Sequence, residues 1–273
     1  MNSGPIAIFD SGYGGLTILD KIQKKLPHYD FIYLGDNART PYGNRSFEVV
    51  YEYTKQAVLK LFEMGSPLIV LACNTASAKA LRTIQQNDLP KIDPDKRVLG
   101  VIRPSVEKVN EITITGKVGV VGTVGTIQSE SYPLEIKKLF PEIEVFQEAC
   151  PMWVPLVEND EYNSEGADYF IQKNLSTLLS QNNQLDTVIL GCTHYPLLIE
   201  KIRKYLPEKI NIIEQGQVVA ESLEDYLHRH PELDNYCSKG GTTKFYTTES
   251  VVKFKQTAGI FLNNEIEVSH ITL

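Results

Sequence analysis

Two short stretches of this chain are nearly the same phrase. Leu71-Ala72-Cys73-Asn74-Thr75 follows the apolar run Pro67-Leu68-Ile69-Val70, and Leu190-Gly191-Cys192-Thr193-His194 follows Asp186-Thr187-Val188-Ile189. Each reads as a buried strand that ends in a thiol, then an amide- or hydroxyl-bearing residue, then the start of a helix. Strands that alternate with helices imply parallel sheets joined by right-handed crossovers.

The rest of the chain keeps to that plan. Ile6-Ala7-Ile8-Phe9 is a first strand that stops at Asp10-Ser11-Gly12-Tyr13-Gly14-Gly15, and Leu16, Leu19, Ile22 and Leu26 then recur at helical spacing. Glycines in such a turn permit close approach of a ligand, and the N–H groups at a helix start attract an anion. The G-x-G-G spacing is not that of a dinucleotide fingerprint. A second strand at 31–34 runs into the polar loop 35–44, placed where ligands bind in open α/β sheets. A helix over 46–64 has a serine cap and Gly65 as its stop, and another is expected over 76–87.

Residues 88–96, with two prolines and several charges, read as a linker and a domain boundary. A strand at 98–102 then restarts the pattern, and Val118-Gly119-Val120-Val121 ends in Gly122-Thr123-Val124-Gly125-Thr126. Ser11 lies 62 residues before Cys73, and Thr123 lies 69 before Cys192. The two halves thus carry a hydroxyl turn and a thiol turn in one order, which hints at a duplicated unit. The two prolines of 149–158 predict an irregular segment, and the tail predicts strands at 244–247 and 265–268 around a helix at 250–262.

The net charge of −7 argues against nucleic acid or an anionic membrane surface as the main partner. No apolar run approaches the roughly 18 residues that span a bilayer, and the first residues show no secretory signal. Four scattered cysteines without an export signal fit a reduced, cytoplasmic setting.

A thiol at a strand end before a helix sits in a field that favours thiolate. Cys150 and Cys237 lack that context and are assigned to the core. Three chemistries compete for Cys73 and Cys192. Zinc would want four closely spaced ligands, whereas Cys192 and His194 form only a C-x-H pair, so no metal is expected. A cysteine hydrolase uses one thiol and leaves Cys73 idle. A two-base proton transfer employs both, one as general base and one as general acid, with Asp10 and His194 available to tune them. A two-lobed binder of small anions remains a reading of a different kind; it has no need of paired thiols.

The stretches IAIFDSGYGGLT (6–17), YLGDNARTPYG (33–43), LACNTASA (71–78), VGVVGTVGTIQS (118–129), ACPMWVPLVE (149–158) and VILGCTHYPLL (188–198) resemble, in this order, those of the glutamate racemases. Aspartate and hydantoin racemases share the paired cysteines. The resemblance implies a cofactor-independent enzyme that interconverts L- and D-glutamate for peptidoglycan. It implies an α/β fold of two doubly wound, mainly parallel domains related by pseudo-symmetry, with the active site in the cleft between them. The domains would be 1–95 plus 208–273, and 96–207. Cys73 would take the α-proton from D-glutamate and Cys192 from L-glutamate, with Asp10 beside the first and His194 beside the second. Ser11, Tyr42, Gly43, Asn74, Thr75 and Thr193 would hold the substrate, and Pro41, Thr123 and Thr126 would line the pocket. Glu158 is a further candidate. A homodimer is expected, and activation by a peptidoglycan precursor through an N-terminal extension is not. The matched loops contain Arg39 and no lysine, which predicts that neutral donors hold both substrate carboxylates.

Overall fold

The computed structural model describes residues 3–262 and 265–273. Among these residues ten strands form two sheets: β1 (Ile6–Asp10), β2 (Phe31–Gly35), β3 (Leu68–Leu71), β4 (Arg97–Gly100), β5 (Lys117–Gly122), β6 (Glu144–Ala149), β7 (Thr187–Gly191), β8 (Asn211–Ile213), β9 (Thr243–Thr247) and β10 (Val268–His270). The first sheet has the order β10-β9-β2-β1-β3-β4, the second β6-β5-β7-β8. The pairings between these strands are parallel. The order β2-β1-β3-β4 in one sheet is repeated as β6-β5-β7-β8 in the other, so the duplication hinted at by the spacings is present in the topology.

Both faces of each sheet are covered, which is why the central strands are apolar throughout rather than alternating. Ile6 and Ile8 pack into one core while Ala7 and Phe9 pack into another on the opposite face. In the second sheet Val188 and Leu190 face one core and Ile189 the other. Helix α1 (Leu16–Lys25) follows β1, α2 (Phe47–Glu63) follows β2, and α3 (Asn74–Lys79) follows β3. The expected serine cap on α2 is formed: the Val49 N–H donates to Ser46 Oγ at 3.3 Å. Gly65 ends the turn after α2 at φ +94°, a conformation that needs glycine.

Three expectations are corrected. The segment read as a linker is helical as far as Ile92, because Pro90 stands in a first helical turn, where a missing N–H costs nothing. The segment 149–158 is not irregular throughout: Trp153–Glu158 is a helix, with Pro155 again in its first turn. The strand expected to open the second half forms at Arg97–Gly100 and pairs with β3, as an edge of the first sheet. At the other end β8 pairs with β7, and the chain returns to the first sheet only with β9, beside β2. On this sheet membership we propose domains of 1–100 plus 214–273, and 101–213. These seams lie a few residues beyond those expected at 95/96 and 207/208.

Candidate active site

The site follows from where the strands end. Phe9 pairs with Leu71 across β1 and β3, so Asp10-Ser11 and Cys73 leave the first sheet side by side. Gly122 pairs with Gly191 across β5 and β7, so Thr123 and Cys192 leave the second in the same way. Equivalent strands of the repeat thus deliver one hydroxyl and one thiol from each sheet. The two pairs meet at a cavity of about 50 Å³ lined by Ser11, Cys73, Thr123, Cys192 and residues of the loop after β2. Both thiols are buried, at 6% and 7% exposure, yet both line it.

Cys73 caps α3: its Sγ accepts from the Ala76 N–H at 3.5 Å and donates to Ser11 Oγ at 3.3 Å. The helix-start field was expected to favour thiolate. Burial overrides it, and together with the negative charge of nearby Asp10 pushes the Cys73 thiol up to about 12. A helix of six residues has too small a dipole to offset that desolvation. Asp10 is itself buried and its carboxyl is raised by burial, with the charge of His194 the largest opposing influence. Asp10 Oδ2 accepts from the Gly12 N–H at 3.0 Å, whereas Oδ1 has no partner among the described residues. Asp10 therefore stands behind Ser11 rather than in the cavity lining.

On the opposite side Cys192 Sγ lies 3.8 Å from His194 Nδ1, and His194 Nε2 lies 3.1 Å from Glu158 Oε1. Glu158 thus sits behind the imidazole and orients it. The imidazole packs nearly perpendicular to the Phe261 ring, with ring centroids 5.8 Å apart. Burial alone would lower the His194 pKa; hydrogen bonds to Cys192 and Glu158 outweigh it and lift the group to about 10. The folded state therefore keeps a proton that the unfolded chain releases near 6.5. This stabilisation is complete below about pH 6.5 and is lost as pH rises toward 10. Thermal unfolding followed across that range should show Tm falling more steeply in the native protein than in Glu158→Gln, which removes one partner. Parallel curves would show that the pairing contributes nothing.

The remaining expected residues divide into those that face the cavity and those that support it. Pro41, Tyr42, Gly43, Asn74, Thr75, Thr193 and His194 line it, as do Thr40, Asn44, Val124, Pro151, Val154 and Pro155, which the sequence reading did not single out. Thr126 is fully buried one layer behind, its Oγ1 within 3.3 Å of Thr75 Oγ1 and 3.1 Å of Thr123 Oγ1. The Tyr42 hydroxyl donates to Asp36, and Arg39 Nε donates to the same carboxylate at 2.7 Å. Arg39 is therefore committed to the loop's own structure. Cys150, assigned to the core, is buried but does line the cavity.

Asn74 is tied down by a network that no sequence signal marks. Its Oδ1 accepts from the Tyr132 hydroxyl at 2.7 Å and from Gln215 Nε2 at 3.2 Å, and its Nδ2 donates to Gln215 Oε1. Gln215 Nε2 also reaches Ser105 Oγ at 2.9 Å, so one buried glutamine joins segments from both sheets. The glycine turn has a different use from the one expected. A Cβ on Gly14 would lie 2.3 Å from Thr193 Oγ1 and 2.5 Å from His194 Nδ1. What comes close to Gly14 is the opposite lobe. Thr17 Oγ1 donates to the Thr193 carbonyl at 3.0 Å, on the same contact. Among the described residues no group of three His, Cys, Asp or Glu is placed to hold a metal ion.

Taken with what the chain resembles, this fold and cleft define an α/β racemase, an enzyme. The model of the Asp/Glu/Hydantoin racemase family matches residues 16–223, and the chain belongs to that family. Glutamate racemases from Streptococcus suis and Streptococcus mutans are each 38% identical to it over 274 residues, covering 100% of both chains. Among solved structures, a glutamate racemase isoform from Bacillus anthracis superposes with a TM-score of 0.91 at 35% identity, covering 100% of this chain and 99% of that one. The glutamate racemase from Francisella tularensis, in complex with D-glutamate, gives 0.88 at 32% identity, covering 100% and 98%.

Proposed function

We propose that this enzyme interconverts L- and D-glutamate without a cofactor, passing a proton through Cys73 and Cys192 on opposite sides of the α-carbon, and that it supplies D-glutamate for peptidoglycan. The observation that carries the reading is the delivery of one thiol from each sheet to a single cavity. Inverting a stereocentre takes a base on one face and an acid on the other, and two sulfurs from separate lobes meet that need. In the L-to-D direction Cys192 removes the α-proton and Cys73 returns one to the opposite face; the roles exchange in reverse. Cys73, whose thiol is held neutral by burial, is suited to the acid role. His194, braced by Glu158, places a protonated imidazole beside Cys192. Asp10 Oδ1, buried behind Ser11 without a partner among the described residues, is an acceptor on the Cys73 side of the proton path.

Neutral groups do the holding. Among the described residues no arginine or lysine lines the cavity, and Arg39 is paired with Asp36. The hydroxyls of Ser11, Thr75, Thr123 and Thr193 and the backbone N–H groups of Tyr42, Gly43, Asn74 and Thr75 are the donors available to two carboxylates. An ion pair at the α-carboxylate would hold charge there and compete with its delocalisation in the carbanion-like transition state. The resemblance also favours a homodimer in the cytoplasm; among the described residues no helix is long and apolar enough to cross a membrane.

The test is incubation of each glutamate enantiomer in deuterium oxide with no cofactor, and of aspartate in parallel. Optical rotation decaying to zero with deuterium at the α-carbon is the expected result for glutamate. No exchange with either enantiomer would overturn the reading in favour of a binding protein. Faster turnover of aspartate would overturn the choice of substrate.

A further inference from the structure

We propose that Lys79 supplies the positive charge against which a substrate carboxylate is held at the cavity wall built from Gly43 and Thr123, acting across that wall and not by contact. The inference rests on the reading of the cavity as a site for a dicarboxylic amino acid. Such a substrate brings a net negative charge to a lining without arginine or lysine. Hydroxyls and amides supply hydrogen bonds without charge, and the charge of the His194 imidazole in the lining is paired with Glu158.

Lys79, in the last turn of α3, lies behind this wall. It is 9% exposed, and among the described residues its hydrogen-bond partner is a backbone carbonyl, that of Arg45, at 2.7 Å. No ion pair between Lys79 and a carboxylate occurs among the described residues; the exposed Glu48 is the acid whose field reaches it. The ammonium packs directly on the peptide of Gly125, since a Cβ there would lie 3.0 Å from Nζ and 2.8 Å from the Gly43 carbonyl. That peptide is part of the wall: the Gly125 N–H donates to the Gly43 carbonyl at 2.7 Å, and Gly43 and Thr123 both line the cavity.

Burying an unpaired ammonium is costly, and burial does lower the Lys79 pKa. A lysine needed only for its helix would point at that helix's own last carbonyls. Lys79 instead reaches across to the substrate loop. Its field extends through one peptide layer, where it favours an anion of any orientation. Binding charge is thereby separated from the hydrogen bonds that fix geometry.

Three substitutions test this. Lys79→Met and Lys79→Gln both remove the charge, while Gln keeps a donor for the Arg45 carbonyl; Lys79→Arg keeps the charge. Both neutral variants should raise KM for D- and L-glutamate about tenfold, or about 1.4 kcal/mol, with kcat within about threefold of native. Lys79→Arg should stay near native. Calorimetric binding of glutarate, a dicarboxylate that cannot be racemised, should weaken in step and lose part of its salt dependence. Glutarate binding reads Lys79 even if turnover assays count against the racemase reading. A Lys79→Gln variant with native KM and glutarate affinity would assign Lys79 to loop anchoring and overturn the proposal. A fall in kcat with KM unchanged would do the same. Should Lys79→Met fail to fold, Lys79→Gln decides between the outcomes alone.

Discussion

Cys73→Ser and Cys192→Ser should each abolish racemisation in both directions, by about a thousandfold or more in kcat/KM. Serine keeps the shape of the side chain, so both variants should fold, but its hydroxyl is too weak an acid to serve in either role. The loss should be symmetric, because each turnover uses one sulfur to remove a proton and the other to return one. What remains should be one-sided. Cys73→Ser retains Cys192 and should still wash solvent deuterium into L-glutamate without inverting it, and Cys192→Ser should do so with D-glutamate. A Cys73→Ser enzyme that racemised at the native rate would sink the two-sulfur proposal and leave the single-thiol chemistries in contention.

Gly14→Ala should cost activity at least about a hundredfold although Gly14 is not among the residues lining the cavity, since displacing a reacting group by about 1 Å has consequences of that order. The new Cβ would fall 2.5 Å from His194 Nδ1, inside any permitted contact. The ring cannot retreat, being held by Glu158 on one nitrogen and packed against Phe261. Either the imidazole leaves Cys192 or the two lobes part. Overpacking of this kind also destabilises, by about 1 to 3 kcal/mol. Paired measurement of kcat/KM and unfolding by denaturant checks both effects. Native activity in this variant would show that the cleft contact yields without disturbing His194.

Much of this arrangement was legible beforehand, and the reasons are local. A run such as Leu68-Ile69-Val70-Leu71 is a strand buried on both faces, and the polar residue that follows it must lie at the sheet's edge, where ligands bind. Asp10, Ser11, Cys73, Thr123 and Cys192 all stand at such ends. What was not legible depended on partners distant in the chain. Gln215 has no marker, because its role is set by Asn74 and Tyr132, 141 and 83 residues earlier. Glu158 was only a candidate until His194 stood beside it, and Lys79 reads as an ordinary helix-end lysine until Arg45 and Gly125 close over it. The prolines misled for a different reason: position within a helical turn, not their presence, decides whether the helix breaks.

The sequence by itself determined most of the strands, their apolar interiors and the thiol at the end of two of them, because side-chain chemistry and spacing act within a few residues; the last strand, expected at 265–268, forms at Val268–His270. Only the tertiary structure decided that β4 edges the first sheet, that Gly14 gives way to His194 of the opposite lobe, and that burial outweighs a short helix's field at Cys73. Those outcomes come from desolvation and close packing, which depend on every neighbour at once and have no meaning until the two sheets face each other.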